Sequence, residues 1–366
     1  DNLWPKIALA VLVSLIIFDY LSTDILSWGL VAYYGLGLIS IIIYALYLGK
    51  FNLRWNSNVF KGDGLREIGK YSAYTGLASF GSTFATRIDT VMVAVLAPGT
   101  VAASTDQLTG VYVLFLALAG VVEVPARAIN NISGPIISQA NDRGDLQEVK
   151  LIYEKSSRTL FLMGVGVFSL IFLSLGDLFV MTNRGAFYSD FFTLFTVLGL
   201  VKVVSMTFST VNQIILYSKY YRYTLYLTLF LGVSNLILNY YFITSVFVES
   251  PLTGVSIATG IAFAINYLVK VVFVWTKFGI HPFHFKMLLA VVFAAMCFGI
   301  AFMVPSFNIP SLNVIISSFL SIAIRSLVFA APFVYLVYTF KVSEDMNSLL
   351  DQLITRIKNR DFKNLI

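Results

Sequence analysis

The chain has 366 residues, of which 58% are hydrophobic and 12% charged, and its mean hydropathy is +0.83. Soluble domains carry about 25% charged residues, so this composition excludes an ordinary water-soluble globule and points to an all-α, polytopic transmembrane bundle. The net charge of +6, with a pI near 9.2, is read as Lys and Arg held in cytoplasmic loops rather than as a nucleic-acid surface. A lone Cys297 leaves no disulfide framework within the chain and speaks against a cysteine metal site.

The chain opens Asp1-Asn2-Leu3-Trp4, with neither an initiator Met nor a signal-peptide pattern. It reads first as a truncated frame and second as a processed product. A helix needs about 20 apolar residues to cross the hydrocarbon. Ten segments qualify: 4–23, 25–49, 68–97, 108–136, 158–182, 188–217, 221–247, 252–276, 286–306 and 312–340.

The loops give a separate reading of orientation. Lys50, Arg54, Lys61, Arg66 and Lys70 follow the second segment, whereas residues 98–107 hold no Lys or Arg. Arg143, Lys150, Lys155 and Arg158 come next, and then Arg184 alone. Lys219 and Arg222, then Lys277 and Lys286, continue the alternation. The basic loops are expected in the cytoplasm, with both ends of the chain. After Lys341 the tail places Met346, Leu349, Leu350, Leu353, Ile354 and Ile357 on one helical face, with Ser343 as N-cap. Such a helix is expected on the inner leaflet. An internal similarity, Gly29 to Gly35 against Gly254 to Gly260, opens segments two and eight and hints at a repeat.

An ionised side chain at the bilayer centre costs roughly 2.5–3.5 kcal/mol on insertion scales, so interior charges mark cavities or paired partners. They are Arg87, Asp89, Glu123, Arg127, Lys202 and Arg325. In segment three, Thr83, Arg87 and Thr90 share one stripe and Ser82, Thr86 and Asp89 another. One is expected to face a cavity and the other a neighbouring helix. In segment four, Glu123, Arg127 and Asn131 share a face on a helix interrupted by Pro125 and Pro135, as a cavity wall requires; pairing of Glu123 with Arg127 is the plainer alternative. Lys202, Ser205, Ser209, Asn212 and Gln213 make a similar stripe. Asn235 and Asn239 are expected to join helices. Arg325 reads equally as a phosphate attractor and as half of a structural pair.

Signatures of soluble enzymes are missing: there is no Walker loop, no H-E-x-x-H and no G-x-S-x-G. His281 and His284 flank Pro282 in a basic loop without nearby carboxylates, a poor metal set. No enzyme activity, metal or organic cofactor is expected.

Several stretches resemble the polysaccharide-transport branch of the MOP superfamily (multidrug, oligosaccharidyl-lipid and polysaccharide exporters), which includes the O-antigen flippases. They are Pro125-Ala-Arg127-Ala-Ile-Asn-Asn-Ile-Ser-Gly-Pro135, then Gly144-Asp145 and Tyr153-Glu154-Lys155. Arg87-Ile-Asp89-Thr-Val-Met, Ser234-Asn235-Leu-Ile-Leu-Asn239 and Leu252-Thr-Gly254-Val-Ser-Ile-Ala258-Thr259 add to it. The resemblance implies residues 1–60 as the last two helices of a first lobe, 61–280 as a second six-helix lobe, 281–342 as two extra helices and 343–366 as a cytoplasmic tail. The first four helices of the family would be missing.

The resemblance also implies a function: flipping an undecaprenyl-pyrophosphate-linked O-antigen, capsule or exopolysaccharide unit across the bacterial inner membrane by alternating access. Arg87, Arg127, Asn131, Lys202 and Arg325 are the expected cavity residues, and Asp89 or Glu123 the expected site of proton or sodium coupling. Expected partners are the lipid-linked glycan, membrane lipids, and the polymerase and glycosyltransferases of the same pathway. A MATE-like cation or drug antiporter would want a cavity of carboxylates and aromatics. A membrane-embedded glycan polymerase or ligase would want a large outside loop.

Overall fold

The computed structural model describes residues 63–97, 104–182, 185–305 and 314–358, with scattered helical positions between Trp28 and Tyr47. The expected segment 4–23, Lys50, Arg54, Lys61, Arg184 and the end of the tail lie outside the described residues. The chain divides into two compact units, Asp1–Glu67 and Ile68–Ile366. In the first, the described positions 37–40 and 42–44 are exposed or half-buried helix.

The long helices are α1 (Asp63–Leu96), α2 (Thr105–Val122), α3 (Val124–Arg143), α4 (Leu146–Met181), α5 (Phe192–Thr207), α6 (Ser209–Leu216), α7 (Arg222–Tyr241), α8 (Pro251–Phe278), α9 (Phe285–Phe302), α10 (Val314–Thr339) and α11 (Glu344–Lys358). No strand occurs among the described residues. Six of these helices, α7 being counted with the π-helical turn Phe242–Val246, are long and apolar enough to cross a membrane. The bent pair α5–α6 makes a seventh. The chain is thus a multi-pass membrane protein of the helical class.

Local sequence explains where the helices start and break. Ser104 and Gln107 form a capping box at α2, the Gln107 N–H donating to Ser104 Oγ at 3.4 Å and the Ser104 N–H to Gln107 Oε1 at 3.0 Å. Segment four, expected as one kinked helix, is two. Pro125 has no N–H and its ring excludes the carbonyl four residues back, so the α-helical pattern stops at Glu123 and restarts at Val124. At Pro135, by contrast, α3 runs on. It ends where Gly144 takes φ +72°, a left-handed conformation that suits glycine, and the Asp145 side chain caps α4. Helix α4 begins twelve residues before the expected segment, because the charged stretch around Glu154 is continuous with it. At Phe208 the α5–α6 pair bends by 40°.

The burial pattern is inverted relative to a soluble protein. Asn235, Asn239 and Asn266 are fully buried, while Leu229, Val233, Ile237 and Tyr240 on α7 stand exposed. In lipid, apolar faces gain little by leaving the surface, so close approach of small residues and interior hydrogen bonds hold helices together. Thus Gly81 of α1 sits against Thr228 of α7, and Gly232 of α7 against Ala85 of α1. Gly254 approaches the Phe242 carbonyl so closely that a Cβ there would lie 3.2 Å from its oxygen and 2.9 Å from Phe247 Cβ. Of the second matched pair in the internal similarity, a Cβ on Gly260 would meet Val201 at 3.3 Å, whereas one on Gly35 would meet nothing within 4 Å among the described residues.

Helix α4 lies between two groups of helices: it packs on α3 and α5 in one direction and on α9 and α10 in the other. The α4–α9–α10 contact is built from Leu162, Leu173, Phe293, Cys297, Phe329 and Phe333. Around α5 and α8 the apolar core is split. One cluster joins Val93, Tyr112, Phe115, Phe195 and Leu252, and the other joins Ile137, Tyr153, Val211, Ile214 and Val274 at the basic end. A third, smaller cluster joins Ala85, Val201, Leu231, Ala262 and Phe263 beside a polar cavity.

The tail helix is fastened at its start. Ser343 Oγ accepts the Met346 N–H at 3.4 Å, the expected N-cap, and lies 2.9 Å from Thr159 Oγ1. Lys155 pairs with Glu344 at 3.4 Å. The side chains of Leu349, Leu353, Ile354 and Ile357 lie outside the described residues.

Candidate functional site: a polar cavity within the bundle

The cavity is built from four helical stripes, one of them Thr224, Thr228 and Leu231 of α7. On α1, Thr75, Ala78, Ser79, Ser82 and Thr86 recur at helical spacing and line a space of about 500 Å³. On α8, Phe263, Asn266, Tyr267 and Lys270 do the same; on α5 and α6, Lys202, Ser205, Asn212 and Leu216. Glu123 reaches in because the break between α2 and α3 falls at that residue. Of the two stripes expected on segment three, Ser82 and Thr86 line the cavity and Asp89 is buried, whereas Arg87 is exposed beside Phe84 and Val91.

One hydrogen-bonded chain crosses the cavity. Lys202 Nζ donates to Glu123 Oε2 at 3.0 Å. Ser205 donates to the other carboxylate oxygen, so the Tyr267 hydroxyl, 2.9 Å from Ser205 Oγ, is left to donate to the serine. Lys202 also lies 5.9 Å from the Phe263 ring centre. Glu123 therefore pairs with Lys202 and not with Arg127.

Lys270 is different. It is only 7% exposed, and among the described residues no carboxylate pairs with it. Its ammonium lies 5.2 Å from the Tyr267 ring centre, a cation–π contact worth about 0.5–2 kcal/mol. That is small against the several kcal/mol needed to desolvate an ion. One helical turn away, the Asn266 amide nitrogen donates to the Leu227 carbonyl at 2.7 Å while its oxygen has no partner. Two ammonium groups thus face the cavity against one carboxylate, which favours an anion inside.

Two smaller or shallower spaces adjoin this one. A cavity of about 20 Å³ shares Thr86, Lys202 and Phe263 with it and adds Asp89 and Thr259. Asp89, 2% exposed, accepts hydrogen bonds from Asn235, from Asn239 at 2.8 Å and from the Tyr112 hydroxyl at 3.3 Å. The Asn239 amide oxygen has no hydrogen-bond partner among the described residues. At the basic end, a space of about 720 Å³ shares Leu216 with the main cavity.

The structure brings together Lys202, Glu123 and, one small cavity deeper, Asp89. It does not bring the others to them. Arg127 and Asn131 stand exposed on α3. Arg325 donates from Nη1 to Asp177 at 2.9 Å and from Nε to the Val304 carbonyl at 3.0 Å, in the α4–α10 contact away from the cavity. Sequence reasoning passed over Lys270 and Asp177. Each sits near one end of its segment, where a charge reads as an interfacial flank; Lys270 is two turns from Lys277. The signal for Lys270 was its spacing from Asn266, i to i+4 on a helix whose other polar residues share that face. Comparison with known proteins returned no matching family profile, no matching curated protein and no matching solved structure.

Proposed function

We propose that this chain belongs to a lipid-linked oligosaccharide flippase of the MOP type. It would carry an undecaprenyl-pyrophosphate-linked glycan across the bacterial cytoplasmic membrane by alternating access, its basic loops and tail on the cytoplasmic side. The observation that supports this most is Lys270: a buried ammonium with no carboxylate partner among the described residues, lining a cavity of about 500 Å³ beside Lys202. A diphosphate entering there would supply the missing counter-charge through charge-assisted hydrogen bonds. Arg87, Arg127, Asn131 and Arg325 are not on that cavity, so the reading rests on Lys202 and Lys270.

Asp89 is the better coupling residue. Neutral donors hold it, and the small cavity beside it, lined also by Thr86 and Thr259, is a setting for a proton or a small cation. Glu123 is already engaged by Lys202. A MATE-like antiporter of organic cations would be repelled by two ammonium groups facing one carboxylate.

The test is deletion of the full reading frame in its host, with lipid-linked glycan measured on each membrane face. Complementation with wild type should restore translocation. Lys270→Met should lower it by about tenfold or more, and Asp89→Asn should remove its dependence on the proton or sodium gradient. Normal glycan distribution in the deletion strain would sink the reading. Normal translocation with failed polymerisation would point to a polymerase or ligase, and altered drug sensitivity alone to a MATE-like antiporter.

A further inference from the structure

The space of about 720 Å³ at the basic end is walled by Tyr71 of α1, Ser138, Asn141 and Asp142 of α3, the 216–221 connection and Lys277 of α8. Two contacts fix its walls. The Asn141 amide donates to the Tyr217 carbonyl at 3.2 Å, tying the end of α3 to the connection before α7. Gly134 leaves room for the Tyr217 ring, which a Cβ would meet at 3.2 Å. The Tyr71 and Tyr221 rings, both in the wall, lie 5.1 Å apart and tilted by 55°.

The chemistry of this lining is mixed in a specific way. Lys219 and Lys277 both converge on the Tyr220 ring, at 5.3 and 6.0 Å from its centre, and neither forms an ion pair among the described residues. Asp142, in the same wall, is also outside any described ion pair. Aromatic faces accept the C–H side of a pyranose ring, carboxylate and amide oxygens accept its hydroxyl protons, and paired ammonium groups hold a phosphate. A phosphate alone would use the lysines and be repelled by Asp142; a neutral sugar would leave the lysines idle.

We propose that this space is a binding site for a phosphorylated sugar, with the phosphate between Lys219 and Lys277 and the ring against the tyrosines and Asp142. The site stands apart from the flippase reading because it is defined by binding alone. If that reading also holds, Leu216, shared with the inner cavity, makes the site the place where a cargo head group first docks.

The experiment is calorimetric titration of the full-length protein in nanodiscs of neutral phosphatidylcholine. The probes are glucose 1-phosphate, galactose 1-phosphate and N-acetylglucosamine 1-phosphate, with the free sugars and inorganic phosphate as controls. At least one sugar phosphate should bind about tenfold tighter than its sugar or than phosphate. The exposed double variant Lys219→Ala/Lys277→Ala should lose that margin, the Lys→Arg pair should keep it, and Ser104→Ala, in the capping box of α2, should leave it unchanged. Three results overturn the proposal. They are no binding of any sugar phosphate, binding lost through Lys270→Met but not through the double variant, or competition by phosphatidylglycerol nanodiscs, which would make it a lipid headgroup site. None of these bears on translocation in the deletion strain, so the two readings fail separately.

Discussion

Lys270 and Arg325 are both cations inside the bundle, and their surroundings differ. Arg325 is closed off: Asp177 and the Val304 carbonyl take its donors in the contact between α4 and α10. Lys270 is left open, with a ring for company and a cavity in front of it. The first arrangement spends a charge on holding helices together. The second leaves a charge facing the cavity. In a membrane interior, then, what distinguishes a structural charge from a functional one is the partner set rather than the depth.

Mutation can break this contrast. Asp177→Asn should have the largest effect, destabilising the protein by roughly 3 kcal/mol, because it removes the carboxylate that Arg325 meets at 2.9 Å in the α4–α10 contact. Asp177→Leu with Arg325→Met should recover most of the loss. Thermal midpoints in detergent decide it; a wild-type midpoint for Asp177→Asn would remove Arg325 from the structural side.

Lys270→Met should behave in the opposite way. Removing an unpaired buried ion should leave the thermal midpoint unchanged or raise it, while affinity for an anionic cargo falls by roughly tenfold to a hundredfold. A loss of stability comparable to that of Asp177→Asn would make Lys270 structural too.

Gly254→Ala tests the close crossing at the start of α8, where the new methyl would meet the Phe242 carbonyl; about 1–3 kcal/mol should be lost. Ser104→Ala, which removes the capping box of α2 at the edge of the bundle, should cost about 1 kcal/mol and leave ligand binding alone.

The helical membrane class was legible because it depends on sums: apolar length, sparse charge and alternating loop cations. The cavity was legible in part. The Ser82–Thr86–Asp89 stripe and the Lys202 stripe were visible as periodicity, and the structure sets Ser82, Thr86, Lys202, Ser205 and Asn212 on the cavity. Which of the two stripes on segment three faces inward was not, because helical spacing fixes relative directions and leaves the facing helix unnamed. Glu123 shows the limit most clearly. On a continuous helix it belongs with Arg127, four residues on; the break imposed by Pro125 puts it beside Lys202, seventy-nine residues away. Pairings of that kind are set by how helices cross, and no local pattern carries them.

Cys297 is the one thiol in this sequence, and it is 1% exposed within the α4–α9–α10 contact. A water-borne maleimide should therefore find nothing to label in the native fold. That makes the chain a ready background for single-cysteine scanning without any prior substitution. Cysteines placed one at a time at Tyr71, Thr75, Ser79, Ser82 and Thr86 would form a ruler along one face of α1. The depth at which labelling stops would measure how far water penetrates from the basic end, and a shift of that depth on adding ligand would time the closing of the cavity.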